Sequence, residues 1–436
     1  MRPEAHWSDG VQISAKDFIF THRAILKHRS DPEDAHRTQV RSVRALDPKT
    51  VRVVLRARFA NWRSGLFDQI LPRHALLGED LTAIWKDRID NPKTGEPIGS
   101  GPFLVERWER GKQLTLVRNA RYWGPHPAYL KRLVFRFGVP IGDPAEALRT
   151  GDVDIYWSGV GRQEAFRRIP GYRLHFWPVQ SFEHFEIRLG RGGHPALKIK
   201  LVRRALAYGI DRVGVVRSLW GEIDPKLRPL DSMAFPIQSP FYRPNWSMYR
   251  YRPGEARRLL EQAGCRRGAD GIYACGGEKL SLRLVTTGGG ERRELTIQLV
   301  QQQLRQVGIE VKATYAPSAA LFGQILTSGD FDLALFAYFT TPDGNAAGPF
   351  RCGVPLNITG YCQRLVTRDV DQADRILDQD QRARVLNRAD AQMARDVPVI
   401  PLLQPLLAAY VRSNIRNYVD RHPVNRWKAE NWWLER

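Results

Sequence analysis

The segment from Leu280 to Phe339 changes its hydrophobic period several times, and this alternation constrains the fold more tightly than any other feature of the chain. Leu280 to Thr287 is a short β-prone run closed by Gly288, Gly289 and Gly290. From Glu291 to Val307 the apolar residues Ile297, Val300, Leu304 and Val307 are spaced three, four and three apart. That spacing puts them on one stripe of a helix, which Gly308 ends. Ile309, Val311 and Ala313 then alternate with Glu310, Lys312 and Thr314, the period of a half-buried strand. Pro317 to Ser328 reads as a second helix, and Phe331 to Phe339 is nearly unbroken apolar sequence, as in a strand buried on both faces. The order is βαβαβ. Strands joined by helical crossovers run parallel, and open parallel sheets bind ligands beyond the carboxyl ends of their strands, where strand order reverses. Two loops are selected on this ground alone, Thr286 to Gly290 and Thr340 to Asn345.

Elsewhere the pattern predicts a helical region over Leu197 to Trp220, another over Asp371 to Arg395, and an extended segment from Val397 whose prolines exclude a helix. Strand-like runs occur at Thr50 to Leu55, Gln113 to Arg118 and Leu133 to Phe137. A chain of 436 residues is too long for one core, so two or three compact units are expected. No apolar run approaches the ~20 residues of a membrane-spanning helix.

A net charge of +21 invites a nucleic-acid partner. Its distribution argues for a solvated basic surface instead, because basic residues occur at most in adjacent pairs such as Arg203 and Arg204, Arg257 and Arg258, and Arg292 and Arg293. The four cysteines form two pairs of equal spacing, Cys265 with Cys275 and Cys352 with Cys362, each around a Gly- or Pro-rich loop. This is not the spacing of a zinc knuckle. Two local disulfides in an oxidising compartment and four reduced buried thiols both satisfy it.

No catalytic constellation is found. Gly288 to Gly290 lacks the lysine and hydroxyl of a phosphate loop, Gly99-Ser100-Gly101 does not fit a nucleophile elbow, and the ten histidines form no metal motif. No cofactor and no metal are expected. Several aromatics are candidates to line a cleft, namely Trp157, Phe182, Phe185, Tyr338, Phe339, Trp427, Trp432 and Trp433, and Tyr338 and Phe339 lie where the strand-end rule puts a ligand.

Six short motifs, in order along the chain, carry a resemblance. They are Trp7 to Gly10 (Trp-Ser-Asp-Gly) with Ser14 to Phe18; Pro97 to Phe103 around the Gly-Ser-Gly turn; Arg118 to Trp123; Leu148 to Ile155; Val202 to Arg212; and Leu304 to Ile309. The Pro398 to Leu402 segment and the Trp427 to Trp433 region fit as well. Together they resemble the extracellular solute-binding proteins of family 5, which serve dipeptide, oligopeptide and nickel importers. The resemblance implies an α/β, two-lobed periplasmic-binding-protein-like fold of type II, cluster C. The expected layout is a lobe I subdomain at 1–95, a lobe I core at 96–185, lobe II at 186–405 and a return to lobe I at 406–436. It also implies a monomer outside the cytoplasmic membrane or in the periplasm, with no catalysis and no nucleic acid. A peptide or peptide-sized solute is enclosed and delivered to ABC permease subunits.

Aligned with the family's ligand loop, Phe336 to Asp343 puts Tyr338 where a tryptophan is usual and Thr341 nearest the acid that anchors a peptide's amino group, with Asp343 offset by two. Phe185 to Arg188 aligns with an element whose polar residue touches ligand, with Arg188 in place of asparagine. Fewer acids and more arginine suit an acidic ligand or a free carboxylate. The expected contacts are Trp157, Phe185, Arg188, Thr287, Tyr338, Phe339, Thr341, Asp343 and Asn345. Residues 1 to 30 contain no export signal, and the chain opens at the family's Trp-Ser-Asp-Gly segment, so a leader and the first lobe I strands are expected upstream.

Overall fold

A computed structural model describes residues 1–28, 34–67, 69–86, 90–137, 144–159, 168–340, 348–418 and 428–435. The chain divides into two compact units, one of Met1–Tyr156, Arg168–His175 and Ala409–Arg436, the other of Trp157–Arg167 and Phe176–Ala408. Among the described residues no helix is long and apolar enough to cross a membrane.

The second unit is built on a five-stranded sheet. Ser281–Thr287 pairs in parallel with Glu310–Ala316 on one side and Leu333–Phe339 on the other. The first strand of the βαβαβ segment therefore lies between the other two, and strand order reverses beside it, the arrangement that opens a crevice at the carboxyl ends. Ser181–Ile187 adds antiparallel to Leu333–Phe339, and Val399–Leu403 closes the edge. Pro401 is tolerated there because an edge strand leaves one side of its backbone unpaired. Helix Glu291–Gln306 buries Ile297, Val300 and Leu304, and Glu291 and Glu294 in its first turn favour its positive end. It ends where Gly308 takes φ +88°; a side chain at Gly308 would sit 2.5 Å from the Tyr273 ring. The crossover expected at Pro317 to Ser328 forms, with a π-helical turn at Leu321–Ile325 between two α-helical turns.

Two expected helices are interrupted. Leu197 to Trp220 is a 3-10 turn followed by Lys200–Gly209 and Arg212–Trp220, and the second helix starts because the Asp211 side chain accepts from Gly214 N. Asp371 to Arg395 resolves into Arg364–Ala373 and Gln379–Asp396, with Asp378 capping the latter through Gln381 N. A cap within an apolar period is a stop signal that periodicity alone overlooks.

The Val202 to Arg212 motif acts as scaffold. Buried Arg203 donates to the carbonyls of Leu197, Lys198, Asp396 and Val397. Buried Arg212 donates to those of Leu230, Pro401, Trp246 and Tyr249 and forms an ion pair with Asp231 at 2.8 Å. Asp390, fully buried, accepts from Asn245, Trp246, Met233 N and Ser232. Burial pushes its carboxyl above the ordinary range, and those four donors work in the opposite direction.

Cys265 is bonded to Cys275 and Cys352 to Cys362, each closing a short loop in this unit. Chain-entropy arguments put each crosslink at about 2–3 kcal/mol. Replacing Cys265 and Cys275 together by serine is expected to lower the denaturant midpoint accordingly. An unchanged midpoint, or an insensitivity of the wild type to reductant, would show that this crosslink contributes nothing.

In the first unit, helix Ala15–His28 packs against the hairpin of Val40–Asp47 and Thr50–Leu55, and Phe103–Glu109, Gln113–Arg118 and Arg132–Arg136 form a meander. Three of the resembling motifs meet here. Ser8 N donates to Gly99 O, Ser8 Oγ donates to Pro97 O, and Asn119 Nδ2 donates to Gly101 O at 2.9 Å. Buried Asp17 accepts from the backbone of Ser14 and Arg73, which ties the helix start to a distant turn.

Candidate ligand site at the strand ends

The carboxyl ends of the parallel strands in the second unit are occupied by a charged cluster. Glu183, on Ser181–Ile187, has no solvent exposure, and its cross-strand neighbours Ala337 and Leu403 are both apolar. It receives Arg292 through both carboxylate oxygens, one of them at 2.7 Å, and Arg293 Nε at 3.3 Å. Both arginines stand in the first turn of helix Glu291–Gln306, immediately after the glycine loop. Arg293 Nη1 also donates to Thr287 Oγ1.

Burial pushes the Glu183 carboxyl up, and the charges and hydrogen bonds of Arg292 and Arg293 outweigh it, holding the group below the usual carboxylate range. Two guanidinium groups thus share one buried carboxylate. Arg293 Nη2 makes no hydrogen bond among the described residues, and the Arg293 side chain keeps 19% of its exposure.

Beside this cluster the Leu333–Phe339 strand outruns its neighbour. Thr286 is level with Leu335, so Phe339 projects three residues past Thr287, about 10 Å. Phe339 lies two residues beyond Ala337, the partner of Glu183, and therefore on the Glu183 face. It is 85% exposed. An exposed aromatic on the face that carries Glu183 and its arginines is suited to cover an apolar group on a ligand whose oxygen the free donors hold.

The other expected contacts are distributed differently. Tyr338 is on the opposite face, stacked on His184 with ring centroids 4.9 Å apart and packed against Phe336. Burial and the nearby Glu186 carboxylate hold its phenol well above the ordinary value. Phe185 is a core residue at 1% exposure. Arg188 lies at the far end of the sheet, because its strand runs antiparallel; its backbone N donates to Asp332 O, where Leu333–Phe339 begins. The guanidinium there donates to Arg191 O and Ile358 O beneath Gly329, whose hydrogen makes room for it. Trp157 is half-buried on Ile155–Gly159, outside this sheet. Thr341, Asp343 and Asn345 fall outside the described residues. Of the expected contacts, the structure ties Thr287 to the Glu183, Arg292 and Arg293 cluster and leaves Phe339 exposed at the same end of the sheet; sequence reading had not named that cluster as a site. Among the described residues no three His, Cys, Asp or Glu side chains gather as metal ligands.

Residues 1–351 match the model of the bacterial extracellular solute-binding proteins, family 5 (middle). The chain belongs to that family. As a family 5 protein it is 25% identical over 437 residues to the oligopeptide-binding protein AppA of Bacillus subtilis, covering 98% of this chain and 78% of AppA. It is 28% identical over 351 residues to the oligopeptide-binding protein OppA of Mycobacterium tuberculosis, covering 78% of this chain and 56% of OppA. The family 5 fold is matched by the structure of Bacillus subtilis AppA in complex with a nonapeptide, at TM-score 0.79 and 23% identity over 99% of this chain and 86% of that one. It is matched too by NikA from Brucella suis in complex with Fe(III)-EDTA, at TM-score 0.82 and 18% identity over 100% of this chain and 87% of that one. The two-lobed family fold expected from the motifs is thus the fold the protein has.

Proposed function

We propose that this solute-binding protein serves an ABC importer outside the cytoplasmic membrane, capturing a peptide-sized solute that bears a carboxylate and handing it to the membrane permease without chemical change. The observation that carries the ligand reading is Arg293, whose Nη2 makes no hydrogen bond among the described residues, at the strand ends where Phe339 stands exposed on the Glu183 face. Arg293 holds the carboxylate end, Arg292 stays on Glu183, Phe339 covers an adjacent apolar group, and Thr287 orients Arg293. The named activities of relatives such as AppA and OppA support a peptide, and the Fe(III)-EDTA bound by NikA supports the broader class of polycarboxylates.

A thermal-shift screen of short peptides, polycarboxylates and metal chelates tests the reading, since a ligand at 100 times its Kd stabilises by ~2.7 kcal/mol. A carboxylate-bearing compound is expected to shift the melting temperature of the wild type. Phe339→Ala is expected to leave the ligand-free stability within about 0.5 kcal/mol, because the side chain packs on little. The same change is expected to weaken the hit roughly tenfold. A screen in which only amines or neutral sugars shift the melt would reject the carboxylate reading.

A further inference from the structure

The first unit carries a surface that solute capture leaves unused. A groove of about 620 Å³ lies between helix Ala15–His28 and the turn from Arg73 to Leu81. Lys16, Arg23 and Lys27 line it from the helix, seven and four residues apart and so along one face, and Arg73 lines it from the turn. Among the described residues none of these four cations makes an ion pair, and Glu79 is the one acid in the lining. Asp17, on the same helix, is buried and committed to the backbone of Ser14 and Arg73. The lining between the cations is apolar and includes Phe20 and Leu77, the latter 49% exposed.

A chain at +21 has cations to spare, but cations spread over a solvated surface do not normally flank an open apolar trough. Here the first and last of the three helical cations are 11 residues apart, about 16 Å along the axis. A single anionic headgroup meets one or two of them, whereas acids spaced along a helix meet all of them while its apolar stripe covers Phe20 and Leu77. From this charge complementarity we infer that the groove docks an acidic amphipathic helix of a protein partner. This inference does not rest on the solute reading, since it uses a different unit and different residues.

The test is fluorescence anisotropy on the full chain with a labelled synthetic helix of about four turns, a leucine stripe flanked by glutamates. A matched helix with lysine for glutamate and phosphatidylglycerol vesicles serve as the other arms. The acidic helix is expected to bind, to weaken by roughly tenfold or more in Arg23→Glu with Lys27→Glu, and to weaken with salt in the wild type. Both side chains are exposed, so the variant is expected to fold, and melting checks it. Should it not fold, Arg23→Gln with Lys27→Gln and the wild-type salt series give the same reading. No binding of the acidic helix, equal binding of the basic helix, undiminished binding by the charge-reversed protein, or capture by vesicles in place of the peptide each overturns the inference.

Discussion

Arg292→Ala is expected to destabilise the second unit by about 3 kcal/mol near neutral pH, lowering its melting temperature by roughly 6–12 °C. The substitution leaves Glu183 fully buried with only Arg293 Nε at 3.3 Å to oppose it. Breaking a buried pair from one side costs more than the pair contributes, because the remaining charge has lost both water and partner. The pH dependence separates this cause from lost packing. In the wild type, burial raises the Glu183 pKa and the two guanidinium groups more than reverse it, so the folded value is depressed. A depressed folded pKa means stability present above the ordinary carboxylate pKa and lost as pH falls through the folded value. In Arg292→Ala burial gains the upper hand and the folded pKa rises, so the penalty is greatest at neutral pH and shrinks as Glu183 takes up a proton. The two proteins should converge in denaturant melts towards pH ~4. Equal deficits at both pH values would mean that the arginine acts through packing alone.

Arg212→Ala should cost about 3–5 kcal/mol at any pH where the protein folds. One guanidinium joins the carbonyls of Leu230, Pro401, Trp246 and Tyr249 to Asp231, so it fastens the edge strand, two loops and a helix start at one point. Its removal strands several buried acceptors at once. Arg212→Lys is expected to recover only a minor part, because an ammonium cannot donate from a planar fork in those directions. Urea titration with an unchanged m-value measures the effect. A loss under about 0.5 kcal/mol would place Arg212 among ordinary surface residues.

The parallel sheet was legible because burial writes its period into the sequence: Ile297, Val300 and Leu304 specify one helix face, and Val311 alternates with charged neighbours. The strand-end rule proposes Thr287 and Phe339 as contacts without reference to any relative. What local pattern could not supply was pairing at a distance. Arg292 looked like half of a solvated basic pair because its partner, Glu183, is 109 residues away. The available signal was the unusual density of ionisable groups, Glu183, His184 and Glu186, inside a strand flanked by phenylalanines. Strand direction was equally hidden. Arg188 follows Phe185 closely in sequence, yet the antiparallel insertion of Ser181–Ile187 carries it to the end of the sheet remote from Phe339. Tyr338 and Phe339 are adjacent, and the period of two sends them to opposite faces.

Calorimetric titration of one peptide hit as its free acid and as its C-terminal amide, against the wild type and Arg293→Gln, tests the central claim most directly. Arg293→Gln leaves Arg292 on Glu183 and removes the guanidinium with unused donors. The wild type is expected to prefer the free acid by at least roughly tenfold, about 1.4 kcal/mol, and Arg293→Gln is expected to bind both forms alike. Equal affinity of the wild type for acid and amide, or a preference that survives Arg293→Gln, would contradict the assignment of Arg293 at the strand ends as the carboxylate site.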